Sequence, residues 1–292
     1  MGLRTKFNLV MLVTFILGLV SAGYLGRDIL QENAKKEVLQ DARILMDSAL
    51  AIRNYTVSEI RPLLNRIPTE EFLPQTVPAY SANANFKHLR QKHKEYSYKE
   101  ATINPTNPEN KATDWENDII LYFRDNPETK EYFGTRDTAI GKASSLFLSK
   151  PIKITNPNCL TCHSDPKNAP EALLEKYGNS NGFGWKLNSI IGAQIVSVPM
   201  TYASGRAETA FKSFIVMIIG IFTLLWAMMN ILLYFVIVKP IRKISDAATA
   251  ISTGSIKDNI DIEVKGNDEI SSLAKSFNRM SRSLSNAMKM IE

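Results

Sequence analysis

Cysteine and histidine are scarce in this chain, two of the first and three of the second in 292 residues. Two cysteines cannot staple a small fold, so a disulfide framework is excluded. A large imbalance of charge is lacking too: 35 basic side chains stand against 29 acidic ones, a net +6. No basic cluster is interleaved with aromatics, so nucleic acid is not an expected partner. At this length there is room for one ordinary domain plus extras.

The scarce residues are concentrated in one place. Both cysteines and one histidine fall in Cys159-Leu160-Thr161-Cys162-His163, which reads C-x-x-C-H. That is the attachment signature of haem c, in which two thiols add across the vinyl groups of one porphyrin and the adjacent histidine binds the iron. A redox dithiol is the first rival, but Asn156-Pro157-Asn158 precedes the motif and nothing upstream resembles a thioredoxin strand. Zinc is the second, and its further ligands could only be His88 and His93. On a helix that spacing puts them on different faces, and the zinc reading leaves His163 without a role.

Two long apolar runs are present. Residues 7–25 follow the basic start Arg4 and Lys6, and residues 213–238 carry no charge and end at Lys239. Each is long enough to cross a bilayer as a helix. Val20-Ser21-Ala22 is a passable cleavage site, but the length of the first run favours an uncleaved anchor. Arg4 and Lys6 before the first span, and Lys239, Arg242 and Lys243 after the second, put both ends in the cytoplasm. Residues 27–212 are then outside, in the bacterial periplasm, where cytochrome c maturation also takes place. The expected layout is a cytoplasmic start over 1–6, spans over 7–25 and 213–238, and a cytoplasmic tail over 239–292.

The outer segment reads as α+β. Residues 27–66 form one long helix with Leu39, Ala42, Met46, Ala49 and Arg53 along one face, and Pro62 kinks or stops it. Residues 67–113 are turn-rich, with a short amphipathic helix from Phe86 to Tyr98 carrying His88 and His93. Asp114 is placed to cap the helix of Trp115, Ile119, Ile120 and Phe123, and Asn126-Pro127 opens a further helical turn ending at Gly134. Residues 143–155 alternate as a strand broken by Pro151, a helix follows from Ala169 to Tyr177, and 190–199 have the β-branched content of a buried central strand. The haem is expected between the motif loop and the long first helix. Opposite His163, the soft donors on the outer side are Met46 and Met200, and Met46 on the helix stripe is the expected second iron ligand. The alternative is Met46 as core filler and water or nothing on the iron, while His88 and His93 sit among charges as solvated histidines usually do.

The tail is the most regular part. Ile237, Ile241, Ile244, Ala248 and Ile251 step by four and three, as do Ile270, Leu273, Phe277, Met280, Leu284, Ala287 and Ile291. These are two heptad helices joined by a connector with Gly254, Ile256, Ile260 and Ile262. One chain cannot bury both seams, so a parallel homodimer closing a four-helix bundle is expected.

Two resemblances follow. Lys239-Pro240-Ile241, Gly254 and Asp268-Glu269-Ile270 resemble a HAMP domain over residues 239–290. The outer segment resembles the Tll0287-like haem-binding family through Arg53-Asn54-Tyr55-Thr56, Asn104-Pro105-Thr106-Asn107-Pro108, Trp115-Glu116, Asn158 to His163, Gly182-Phe183-Gly184-Trp185 and Val198-Pro199. That resemblance implies a PAS-like fold, one covalent haem c held by Cys159, Cys162 and His163, and placement in front of signalling modules. Some relatives supply a cysteine as second axial ligand, and no third cysteine exists here. No kinase, cyclase or chemoreceptor segment follows the tail, so output through a separate cytoplasmic partner is expected. The resulting expectation is a non-enzymatic transmembrane sensor of the inner membrane, relaying redox or gas-ligand state. A membrane-anchored c-type electron carrier is the rival, but has no need of a two-helix cytoplasmic relay. A haem peroxidase or nitrite reductase lacks an acid-base histidine beside the motif.

Overall fold

Helix α1 runs without a break from Leu3 to Tyr55, then widens into a π-helical turn over Thr56–Ile60 and returns as α2, Arg61–Leu64. The computed structural model describes residues 2–137, 144–253, 261–263 and 266–290. By its contacts the chain divides into a larger unit, Arg27–Ala210, and a second unit, Met1–Gly26 with Phe211–Glu292. The wide turn has a local cause. Pro62 has no N–H to give the carbonyl four residues back and its ring crowds that carbonyl, so the helix loosens ahead of the proline instead of stopping.

The larger unit has three layers. A four-stranded antiparallel sheet lies in the order β1-β4-β3-β2, with β1 at Ser97–Thr102, β2 at Tyr132–Asp137, β3 at Ser144–Lys153 and β4 at Ile190–Pro199. One face carries Tyr98, Leu146, Leu148, Val196 and Val198, which bury against α1 and α3, Pro78–Lys92. From α1 come Ala34, Val38, Ala42, Met46 and Ala49, spaced so that small side chains let the helix lie close on the strands. The other face carries Ala101, Ala193 and Ile195 and is covered by Ile119, Ile120 and Phe123 of α4, Asp114–Asp125. Helices α5, Leu160–His163, and α6, Glu171–Tyr177, lie in the connection between β3 and β4.

Several expectations are corrected here. The helix assigned from Phe86 to Tyr98 begins earlier, at Pro78, whose fixed backbone suits a first helical turn, and Tyr98 belongs to β1. Thr113, not Asp114, caps α4, with the Glu116 carboxylate accepting the Thr113 N–H at 2.8 Å. Gly134 does not end a helical turn: it lies in β2 opposite Phe147, whose ring occupies the space a Cβ would take, at 3.0 Å. Pro151 does not break β3. Its partner is Ala193 of β4, and β2 has already ended at Ser149, so the missing N–H faces no strand on that side. Residues 190–199 are the central, buried strand as expected.

The second unit holds the start of α1 and α7, Thr201–Leu232, followed by a second π-helical turn over Leu233–Val238 and α8, Lys239–Ser252. The continuous helical runs Leu3–Leu64 and Thr201–Ser252 are both long and apolar enough to cross a membrane. Between them Phe15 meets Phe222 edge to face at 4.3 Å, and the Asn230 amide donates to Asn8 Oδ1 at 2.9 Å. Farther on, Ile244 and Ala247 of α8 bury against Ala274 and Phe277 of α9, Glu269–Lys289. Asn278 locks Ile262 to α9 by accepting its N–H at 3.0 Å and donating to its carbonyl at 2.8 Å. Leu273, Met280 and Leu284 stay exposed. Gly254, Ile256, Ile260 and Ile291 of the expected pattern lie outside the described residues.

Candidate functional site

Local turns set the motif in place. The Asn156 side chain accepts the Asn158 N–H at 2.9 Å, and Pro157 opens a single 3-10 turn that ends on Cys159. The same Asx-Pro device recurs at Asn107-Pro108 and Asp165-Pro166, where Asn107 and Asp165 accept from Glu109 and Lys167. Helix α5 then carries Cys162 and His163.

The segment 182–185 is fastened to α5. Gly184 N–H donates to the Ser164 carbonyl at 2.8 Å and Trp185 N–H to the His163 carbonyl at 3.0 Å. The Trp185 indole stacks on the His163 ring, centroids 3.8 Å apart and 14° from parallel. The Gly182 carbonyl lies 2.7 Å from His163 Nδ1, with Thr106 Oγ1 at 3.5 Å. A carbonyl only accepts, so Nδ1 carries the proton and Nε2 keeps its lone pair. Gly182 is required here: its φ is +84°, and a Cβ would fall 1.9 Å from Thr106 Oγ1. Burial pushes the His163 pKa down, with the Gly182 carbonyl opposing, so the ring is held neutral, as ligation requires.

Both cysteines are free and half-buried. Burial pushes the Cys162 thiol up, and the Arg61 guanidinium acts against it. Cys159, Cys162, His163 and Trp185 line one cavity of about 1650 Å³. Ligand pockets commonly measure roughly 300–1,000 Å³, so this one admits a cofactor of porphyrin size. Two thiols, one neutral imidazole with a free Nε2, and apolar walls at Val57, Phe86 and Leu173 are the donor set and surroundings that haem c demands.

A buried polar network forms another wall. Arg53 pairs with both oxygens of Glu100, Tyr98 Oη donates to Glu100 Oε1 at 2.8 Å, and Gln194 Nε2 donates to Tyr98 Oη at 3.1 Å. Burial, then the Glu100 charge, pushes the Tyr98 phenol far above its ordinary range, so it stays protonated. Nearby, Lys99 Nζ meets Glu116 at 2.7 Å.

The structure therefore brings Cys159, Cys162 and His163 to one cavity and leaves Met46 out of it. Met46 is fully buried in the core between α1 and the sheet, with Leu146, Leu148 and Val196, and does not line the cavity. The reason is phase. The α1 stripe that faces the sheet is the one that carries Met46, whereas the cavity is lined farther along by Asn54, Val57 and Ser58. Met200 packs on the same core, and His88 and His93 are exposed and off the cavity. No group of three or more His, Cys, Asp or Glu placed to hold a metal occurs among the described residues. Sequence reasoning gave no role to Thr106, Gly182 or Trp185, although the segments Asn104 to Pro108 and Gly182 to Trp185 stood out as motifs.

Comparison with known proteins adds the following. A family model described as Tll0287-like matches residues 31–199, and a model described as HAMP domain matches residues 232–286. Among solved structures, the crystal structure of the cyanobacterial heme-protein Tll0287 is similar, at 16% identity and a TM-score of 0.43, over 56% of this chain and 95% of that one. No curated relative matches.

Proposed function

This chain belongs to the Tll0287-like family and carries a HAMP domain behind the matched segment, and on that footing we propose that it is a transmembrane haem c sensor. Cys159 and Cys162 tether the porphyrin, and His163 Nε2 is the proximal iron ligand. The observation that carries this is the His163 Nδ1 contact to the Gly182 carbonyl at 2.7 Å, in a cavity that both motif cysteines line. Such a partner on the far nitrogen fixes the ring and raises the basicity of the nitrogen that ligates. Trp185 holds the imidazole plane from one side.

Bound haem supplies an iron that changes oxidation state or takes a gas ligand. The protein converts that change into movement through α1 and α7, the helices that pass from the larger unit into the second. Residues 7–25 and 213–238 are the spans, 27–212 the periplasmic PAS-like domain, and 239–292 the cytoplasmic HAMP domain. The antiparallel sheet with helices on both faces supports the PAS-like reading. Exposed Leu273, Met280 and Leu284 support a parallel homodimer through the tail, acting on a separate cytoplasmic partner. The HAMP domain favours a sensor over an electron carrier and over an enzyme, because a bistable bundle serves relay and adds nothing to electron transfer or catalysis.

The test is covalent haem. The full chain, made in cells with a haem c maturation system, is expected to keep haem stain on a denaturing gel. The double variant Cys159→Ser/Cys162→Ser is expected to lose it. Stain that survives the double change overturns the attachment.

A further inference from the structure

Opposite His163 the cavity offers the iron no second strong-field side chain. Among the described lining residues the motif supplies the only imidazole and the only thiols, and no methionine is present. Tyr98 gives its proton to Glu100, and Glu100 is taken by Arg53. Lys99 and the Thr113 N–H take up Glu116.

The first helix presents a different kind of surface. Asn54, Val57, Ser58 and Arg61 line the cavity at the i, i+3, i+4, i+7 spacing of one helix face, across the π-helical turn. Arg53 and Arg61 stand about 12 Å apart along that axis, eight residues at the helical rise. Each lies within the field of a motif cysteine, Arg53 of Cys159 and Arg61 of Cys162. The two arginines thus mark the edge where the porphyrin is tethered, and the residues between them cross its face. Arg53 is neutralised by Glu100, and the Arg61 Nε is held by the Thr76 carbonyl at 2.9 Å. Over the centre remain a carboxamide, an isopropyl group and a hydroxyl. Asn54 and Ser58 make no side-chain hydrogen bond among the described residues.

From this we infer that the Asn54–Val57–Ser58 face of the first helix receives a neutral diatomic ligand on the iron, opposite His163. The uncharged donors of Asn54 and Ser58 suit a small ligand with a weakly accepting outer atom, and Val57 limits its size. The π-helical turn makes this face a place where a ligand can act on the backbone, since such turns sit at functional positions and rewind at low cost. The inference rests on the haem reading above.

The test uses the full-length chain loaded with haem, in detergent, with carbon monoxide as the probe. Resonance Raman of the ferrous protein is expected to show a five-coordinate high-spin iron that binds carbon monoxide. Asn54→Leu is expected to raise the C–O stretching frequency, because a donor to the bound ligand is lost. Val57→His is expected to convert the iron to a six-coordinate low-spin species and to abolish carbon monoxide binding. A chain without covalent haem overturns this inference together with the function proposed above. A haem-loaded chain that is already low-spin and refuses carbon monoxide overturns this inference alone. So does a carbon monoxide complex that none of Asn54→Leu, Ser58→Ala and Val57→His alters.

Discussion

Two apolar helix stripes in this protein have opposite fates. On α1, Val38, Ala42, Met46 and Ala49 are all 2% exposed or less, covered by strands of the same chain. On α9, Leu273, Met280 and Leu284 are 49%, 61% and 47% exposed although they keep an equally regular spacing. The difference lies in the partner surface. A sheet face is wide enough to cover a whole stripe, whereas α8 covers only Ala274 and Phe277. One surface is complete within the chain, and the other is half of an interface. Periodicity reports that a stripe will be buried, but not by which molecule.

The largest effect is expected where the surface is complete. Met46→Ala removes a fully buried side chain and is expected to cost about 2–5 kcal/mol of stability, read by chemical denaturation of the larger unit's tryptophan signal in the full-length protein. The haem spectrum of the folded fraction is expected to be unchanged, because Met46 does not line the cavity. A low-spin to high-spin conversion in that variant would return Met46 to the iron.

On the incomplete surface the same kind of change is expected to act on association instead. Leu273→Asp leaves the larger unit's unfolding within about 0.5 kcal/mol of the parent, as surface changes usually do. It is nevertheless expected to abolish the cross-link that Leu273→Cys forms between identical chains in oxidised membranes. Ile244→Cys is a weaker reporter than its heptad position suggests, because α9 of the same chain already covers it. Absence of any cross-link at Leu273 or Leu284 would mean that the stripe is not an interface between copies.

The smallest effect concerns the start of α9. The Asp268 carboxylate accepts the Ser271 N–H at 2.8 Å, and its hydrogen bonds to the Ser271 side chain and backbone hold its pKa below the usual carboxylate range. A depressed folded-state value contributes stability above the unfolded pKa and loses it as pH falls through the folded one. Helix content of α9 is therefore expected to fall slightly on acidification below the ordinary aspartate range, and Asp268→Asn is expected to flatten that dependence. A pH response unchanged in the variant would exclude Asp268 as its source.

Legibility from sequence followed the same division between local and long-range causes. The motif, the central strand over 190–199 and the α1 stripe are each written in contiguous residues. Strand β1 was not, because its inward residues include Glu100, a charge at an apolar position that makes sense only once Arg53 is opposite. Strand β2 is an exposed edge with Gly134 in its middle, so neither alternation nor propensity marks it. The site was half legible. Cys159, Cys162 and His163 stand together in the chain, but Thr106 and Gly182 reach His163 from segments far before and after it, and only the fold pairs them.

Each π-helical turn ends two residues ahead of a proline, Ile60 before Pro62 and Val238 before Pro240. A π turn is an α turn with one residue too many. The turn at 233–238 therefore works as a phase shifter between α7 and α8: it absorbs a surplus residue that would otherwise rotate the α8 seam by about 100° about the axis. Removing one residue within it would leave an ordinary α-helix with both faces still in their present phase, whereas the same deletion elsewhere in α7 or α8 would turn the seam away. The connection is thus tolerant of length at one place and strict about it everywhere else, and that asymmetry is what lets a membrane helix and a heptad helix, each with its own preferred winding, share one continuous backbone.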